Sequence, residues 1–146
     1  ALLPVTLELG GKSPNIVFPD VRELDAIADN VAFAAMYCNG QSCLAGTRLF
    51  VHEDVYAPLM DELLERLARA KIAAPLDPEA TISCLVSAKQ GRRVLDYIDV
   101  GRREGARLLL GGARRTVAGC EAGWFVEPTV FEARNDMRIC REEIFG

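Results

Sequence analysis

Stretches with an apolar period of two and stretches with a period near 3.6 take turns along this chain, and that alternation restricts it to folds that layer helices on a sheet. Val5 to Leu9 alternates, placing Val5, Leu7 and Leu9 on one face of an expected strand and Thr6 and Glu8 on the other. Gly10-Gly11 breaks the pattern, and Asn15-Ile16-Val17-Phe18 predicts a second short strand ending at Pro19. Asp20 with Glu23 has capping-box spacing, and Leu24, Ile27, Ala28, Val31, Ala34 and Ala35 recur at helical intervals toward an end near Tyr37. The polar stretch Cys38 to Cys43 reads as a loop, followed by strand-like Arg48 to His52. Cys43 is thus expected between a helix end and a strand start.

The alternation continues. Asp54 is placed to cap a helix with Leu59, Met60, Leu63, Leu64 and Leu67 on one face and charged residues opposite. A Pro- and Asp-rich loop, 75 to 78, ends it. Ser87 with Gln90 opens a further helix whose Val94, Leu95 and Ile98 face inward and which fades by Gly105. Strand candidates follow at Arg107 to Leu110, Trp124 to Val126 and Thr129 to Phe131.

At 146 residues the chain is long enough for one domain with a true core. Half of it is apolar and 26% charged, which excludes a disordered or fibrous class. No apolar run approaches membrane-spanning length. A net charge of −4 with scattered basic residues argues against nucleic acid. The arginine pairs at 92/93, 102/103 and 114/115 are expected to be solvated faces. Five cysteines, an odd number without zinc-type spacing, point to reduced thiols in a cytoplasmic setting and to no metal site. Both ends read as interrupted, so the chain is expected to be a piece of a longer protein.

Three short stretches hold the candidate chemistry. In Leu7-Glu8-Leu9-Gly10-Gly11-Lys12-Ser13-Pro14 a carboxylate precedes two glycines that permit a turn and close approach, although an exposed glutamate beside an ordinary glycine turn would look the same. A nucleotide phosphate loop is excluded, because the first glycine of that pattern would stand at position 6, which is Thr6. In Asn39-Gly40-Gln41-Ser42-Cys43-Leu44-Ala45-Gly46 a thiol sits among glycines, as a nucleophile needing access and thiolate stabilisation requires. Cys38, Cys84, Cys120 and Cys140 are expected to be small buried hydrophobes instead. The third stretch is Arg141-Glu142-Glu143-Ile144-Phe145-Gly146, which by itself means little.

Together and in this order, the three stretches resemble the aldehyde dehydrogenase superfamily. The resemblance spans nearly the whole chain, including Asn15 to Phe18, Arg48 to His52 and Phe125-Val126-Glu127-Pro128-Thr129-Val130. It implies an incomplete catalytic domain over residues 1–146, a three-layer αβα sheet, with the cofactor-binding domain upstream and a C-terminal remainder outside it. It implies NAD(P)-dependent oxidation of an aldehyde to a carboxylic acid through a cysteine thiohemiacetal and thioester. By resemblance Cys43 matches the nucleophile and Glu8 the general base. Glu143 matches the residue that binds the nicotinamide ribose, Phe145 an aromatic packed near that ring, and Leu9 a backbone contact to the carboxamide. The cofactor would be NAD or NADP, the substrate a small aldehyde, and the full-length protein a homo-oligomer.

Some positions depart from the commonest family form. Met36, Ser83-Cys84, one additional residue between Asp20 and Asp25, and Leu44 after Cys43 all differ; Leu44 bears on substrate preference rather than reaction type. No G-x-G-x-x-G turn occurs, so the isolated chain is expected to be inactive with NAD(P). A different class of function is a thiol redox or scaffold module of the same fold, against which the presence of both Glu8 and Cys43 argues. A coenzyme A-acylating dehydrogenase is a third reading, disfavoured by Glu8.

Overall fold

The computed structural model describes residues 2–146. Strand β1 (Pro14–Val17), helix α1 (Leu24–Met36) and strand β2 (Arg48–Val51) form a parallel unit, with Pro14 opposite Arg48 and Val17 opposite Val51. Parallel strands need a crossover, and α1 supplies it. Helix α2 (Glu53–Ala68) packs on α1, and Val17, Ala28, Val31, Leu59, Met60, Leu63 and Leu67 form their shared core. Apart from Val17, which comes from β1, these are residues whose helical spacing put them on one face.

Helix α3 (Ala88–Arg103) follows, then β3 (Arg107–Leu110), β4 (Arg114–Arg115), β5 (Phe125–Val126), β6 (Val130–Glu132) and the short α4 (Arg138–Arg141). The ladders β3–β6 and β4–β5 are antiparallel. Val94 and Ile98 of α3 close over Leu85 and Val126, while Tyr97 meets Met137 and Ile139. Leu109, Leu110 and Val130 also reach the first core, so the ladders lean on the β1–α1–β2 unit. The α/β class is as expected, with the strands grouped in three two-stranded ladders.

Several local expectations are corrected. Val5 to Leu9 forms no strand, and Val5, Leu7 and Leu9 are 80%, 69% and 71% exposed. An alternating segment needs a partner strand and a surface to cover its apolar face, and among the described residues it finds neither. The helix after His52 is capped by His52 itself, whose side chain accepts from the Asp54 amide; Asp54 falls in the first turn, where its charge suits the helix dipole. Glu23, not Asp20, occupies the cap of α1 and makes no side-chain capping bond. Ser87 does cap α3 by accepting from the Gln90 amide. The Gln90 side chain, however, turns away from the cap.

Candidate active site

The Cys43 loop begins with a backbone anomaly. As α1 ends, Cys38, Asn39 and Gly40 take φ of 52°, 57° and 74° in succession. Glycine adopts this left-handed region freely and asparagine often; for Cys38 it costs on the order of 1–2 kcal/mol. Side-chain bonds hold the turn in place. Asn39 accepts from the Ser83 amide at 2.9 Å and donates to the Cys84 carbonyl at 3.2 Å. Gln41 accepts from the Val86 amide at 2.9 Å. At its far end the loop is tied back to α1, the Gly46 amide donating to the Ala34 carbonyl. Cys43 stands between these anchors, half-buried.

The glycine pair passes directly beside it. A Cβ on Gly11 would lie 2.5 Å from the Cys43 carbonyl oxygen, and one on Gly10 would lie 2.5 Å from Glu143 Oε2. The Gly11 amide donates to Glu143 Oε1 at 3.0 Å. Gly10-Gly11 therefore threads between the backbone of Cys43 and the carboxylate of Glu143, where any side chain would collide. All three sequence stretches meet at this point. Glu8 and Leu9 lead into it and are exposed; among the described residues the Glu8 carboxylate makes no hydrogen bond.

The segment bearing Glu143 is held from α3. Gln90 donates to the carbonyls of Ile144 (2.9 Å) and Phe145 (2.5 Å), and Arg93 to those of Glu143 and Ile144. Phe145 has φ of 66° and its ring is partly exposed. Arg93 is thus not simply solvated, as the arginine pairs were expected to be. Arg92 and Arg114 also depart from that expectation, since both guanidiniums lie over the Trp124 ring. The cysteine expectation fails too: Cys38 is exposed, and Cys84, Cys120 and Cys140 are half-buried.

Lys12, next to Gly11, is the most perturbed titrating group. Burial lowers its pKa from 10.5 to about 8, aided by Arg48 and opposed by Cys140 and Glu143. Cys140 moves upward, chiefly through burial, with Lys12 and Arg48 pulling the other way. An apolar cavity of about 480 Å³ is bordered by Lys12, Asn39, Cys140 and Gly146, but Cys43 and Glu8 do not line it.

Sequence reasoning missed Asn39, Gln41, Gln90, Arg93 and Lys12. One signal for the α3 pair was available, because residues three apart on a helix share a face. Nothing local could disclose that the face meets a backbone fifty or more positions downstream.

Residues 1–146 match the family model described as "Aldehyde dehydrogenase family". An aldehyde dehydrogenase of Rhodospirillum rubrum is 43% identical over 99% of the chain and 30% of its own length. Among solved structures, the gamma-glutamyl-gamma-aminobutyraldehyde dehydrogenase of Burkholderia cenocepacia is 45% identical with a TM-score of 0.89, over 95% of this chain and 28% of that one. An NAD+ complex of an aldehyde dehydrogenase from Bacillus cereus gives 44% identity and a TM-score of 0.89, over 98% and 28% respectively. The chain spans under a third of the length of these relatives.

Proposed function

Because the chain belongs to the aldehyde dehydrogenase family, we propose that residues 1–146 are part of a catalytic domain and that the protein containing them oxidises an aldehyde to a carboxylic acid with NAD or NADP. The observation that carries this reading is the seating of Gly10-Gly11 between the Cys43 backbone and the Glu143 carboxylate. Named relatives act on aldehydes, and one was solved with NAD+ bound. The reading extends to a cytoplasmic homo-oligomer; no helix among the described residues is long and apolar enough to cross a membrane.

Cys43 acts as the nucleophile. Its thiolate adds to the aldehyde carbon and gives a thiohemiacetal whose oxyanion needs donors. The Cys43 amide is available for that role, since it donates to no protein acceptor among the described residues. Bound nicotinamide would supply the acceptor for the hydride that leaves this adduct. The thioester then left on Cys43 is opened by water, from which Glu8 takes a proton, releasing acid and thiol.

The residues present suit the cofactor. Glu143 uses Oε1 for the Gly11 amide, which leaves Oε2 with accepting capacity for a ribose hydroxyl beside a glycine that has no side chain to block it. Phe145 offers a partly exposed ring, and Leu9, exposed as a residue, matches the backbone contact to the carboxamide. Glu8 favours water over coenzyme A as the acyl acceptor, because neutral water is a poor nucleophile without a base to take its proton, whereas a thiol reaches its nucleophilic thiolate form near neutral pH unaided.

The test is made in the full-length protein. Cys43→Ser should abolish aldehyde-dependent NADH formation. Glu8→Gln should keep a single-turnover burst while steady-state acid release falls on the order of a hundredfold or more. Near-normal oxidation by Cys43→Ser would overturn the assignment, and a Glu8→Gln protein without a deacylation defect would remove the base.

A further inference from the structure

We infer that Gln90 and Arg93 of α3 are positioning residues that hold Glu143 against Gly11, and thereby fix the Glu143 carboxylate relative to the Cys43 loop. The inference rests on the reading of Glu143 as the ribose-binding carboxylate. Its geometric half stands independently of that reading.

Among the described residues the segment from Glu143 to Phe145 has no sheet partner, and Phe145 is left-handed at φ of 66° without being glycine. Such a conformation persists only where surrounding contacts over-determine it. Here two side chains three residues apart on one helix face satisfy three consecutive carbonyls, those of Glu143, Ile144 and Phe145. Turning the three carbonyls toward α3 leaves the Glu143 side chain to run toward the glycines, where it meets the Gly11 amide. Arg93 is steadied in turn by the Tyr97 ring, 5.0 Å from its guanidinium carbon.

The same helix governs the other side of the site. Ser83 to Val86, the residues leading into α3, are the partners of Asn39 and Gln41 in the Cys43 loop. The Ser87 cap joins this lead-in to the turn that carries Gln90. Both the loop with the thiol and the segment with the carboxylate therefore bear on one capped helix start. A shift in either clamp changes the separation of thiol and carboxylate.

Amide hydrogen exchange in the full-length protein, read at single residues by mass spectrometry with electron-transfer fragmentation, tests the geometry. Gln90→Ala and Arg93→Ala should each accelerate exchange at Gly11 about tenfold, as loss of a charge-assisted hydrogen bond implies. The amides of Val94 and Ile98 should keep their protection, and Arg93→Lys should recover part of the effect. Glu143→Gln provides the reference, because it weakens the Gly11 bond directly. Unchanged Gly11 exchange in both alanine variants overturns the inference, as does general loss of protection at Val94 and Ile98 in the Gln90→Asn and Arg93→Lys proteins as well. In the full-length protein the alanine variants should raise KM for NAD more than they lower kcat. Faster Gly11 exchange with an unaltered KM would leave the clamp standing and sink the ribose role of Glu143. A raised KM in Glu143→Gln beside unchanged exchange in the alanine variants would do the reverse.

Discussion

Lys12 has its ammonium withdrawn from water, and this desolvation outweighs the attraction of Cys140 and Glu143, so the group titrates at about 8 instead of 10.5. The sign of the stability effect follows from proton counts. Below about pH 8 both folded and unfolded chains carry the proton, and the folded state bears the burial penalty. Between pH 8 and 10.5 the folded chain has released a proton that the unfolded chain still holds, so stability rises with pH over that window. Lys12→Met should therefore stabilise the chain at neutral pH, with the advantage over wild type shrinking as pH climbs from 8 to 10.5. Urea midpoints for the two proteins across this range measure it, and an advantage independent of pH would refute it. In the sequence Lys12 reads only as part of a failed phosphate-loop pattern. Its titration depends on Arg48, Cys140 and Glu143, which no local pattern associates with it.

Helix α3 combines local and distant determinants. Its apolar spacing and Ser87 cap are visible in the sequence, and both appear in the structure. Gly91 within it costs helix propensity of roughly 1 kcal/mol, which an alanine would recover. Packing decides the other way. A Cβ at Gly91 would lie 2.3 Å from Trp124 Cε3, and both Arg92 and Arg114 lie over that ring, with guanidinium carbons 5.5 and 4.0 Å from its centroid. Gly91→Ala should destabilise the chain by about 1–3 kcal/mol, as overpacking does. It should also shift the emission of Trp124, the single tryptophan. Equal or greater stability by thermal melt, with unchanged emission, would show that the ring moves freely. The cap of α2 teaches the complementary lesson: Asp54 has the better capping residue type, yet His52 occupies the cap, because the end of β2 sets where the helix can start.

For the molecule as a whole, the chain spans 28% to 30% of the length of its relatives, and its surface carries exposed Leu3, Val5, Leu7, Leu9, Ile16, Phe18, Phe33 and Leu44. Apolar exposure on this scale marks surfaces that other protein covers. The 146-residue chain should bind a hydrophobic dye and self-associate as its concentration rises, and it should form no NADH from aldehyde and NAD on its own. Sedimentation and a fluorescence titration measure the first, and robust NADH production by the chain alone would contradict the second. The amino-acid pattern by itself determined the alternating elements, the faces of α1, α2 and α3, and the setting of Cys43 in a loop between helix and strand. Each of these depends on period, caps and turn residues within a few positions of one another. Only the tertiary structure decided that Val5 to Leu9 stays unpaired, that Gly11 meets a carboxylate 132 positions away, and that Gln90 and Arg93 hold its segment. Hydrogen bonds and packing between remote residues exist only once the core has brought their elements together, so they leave no periodic trace in the chain.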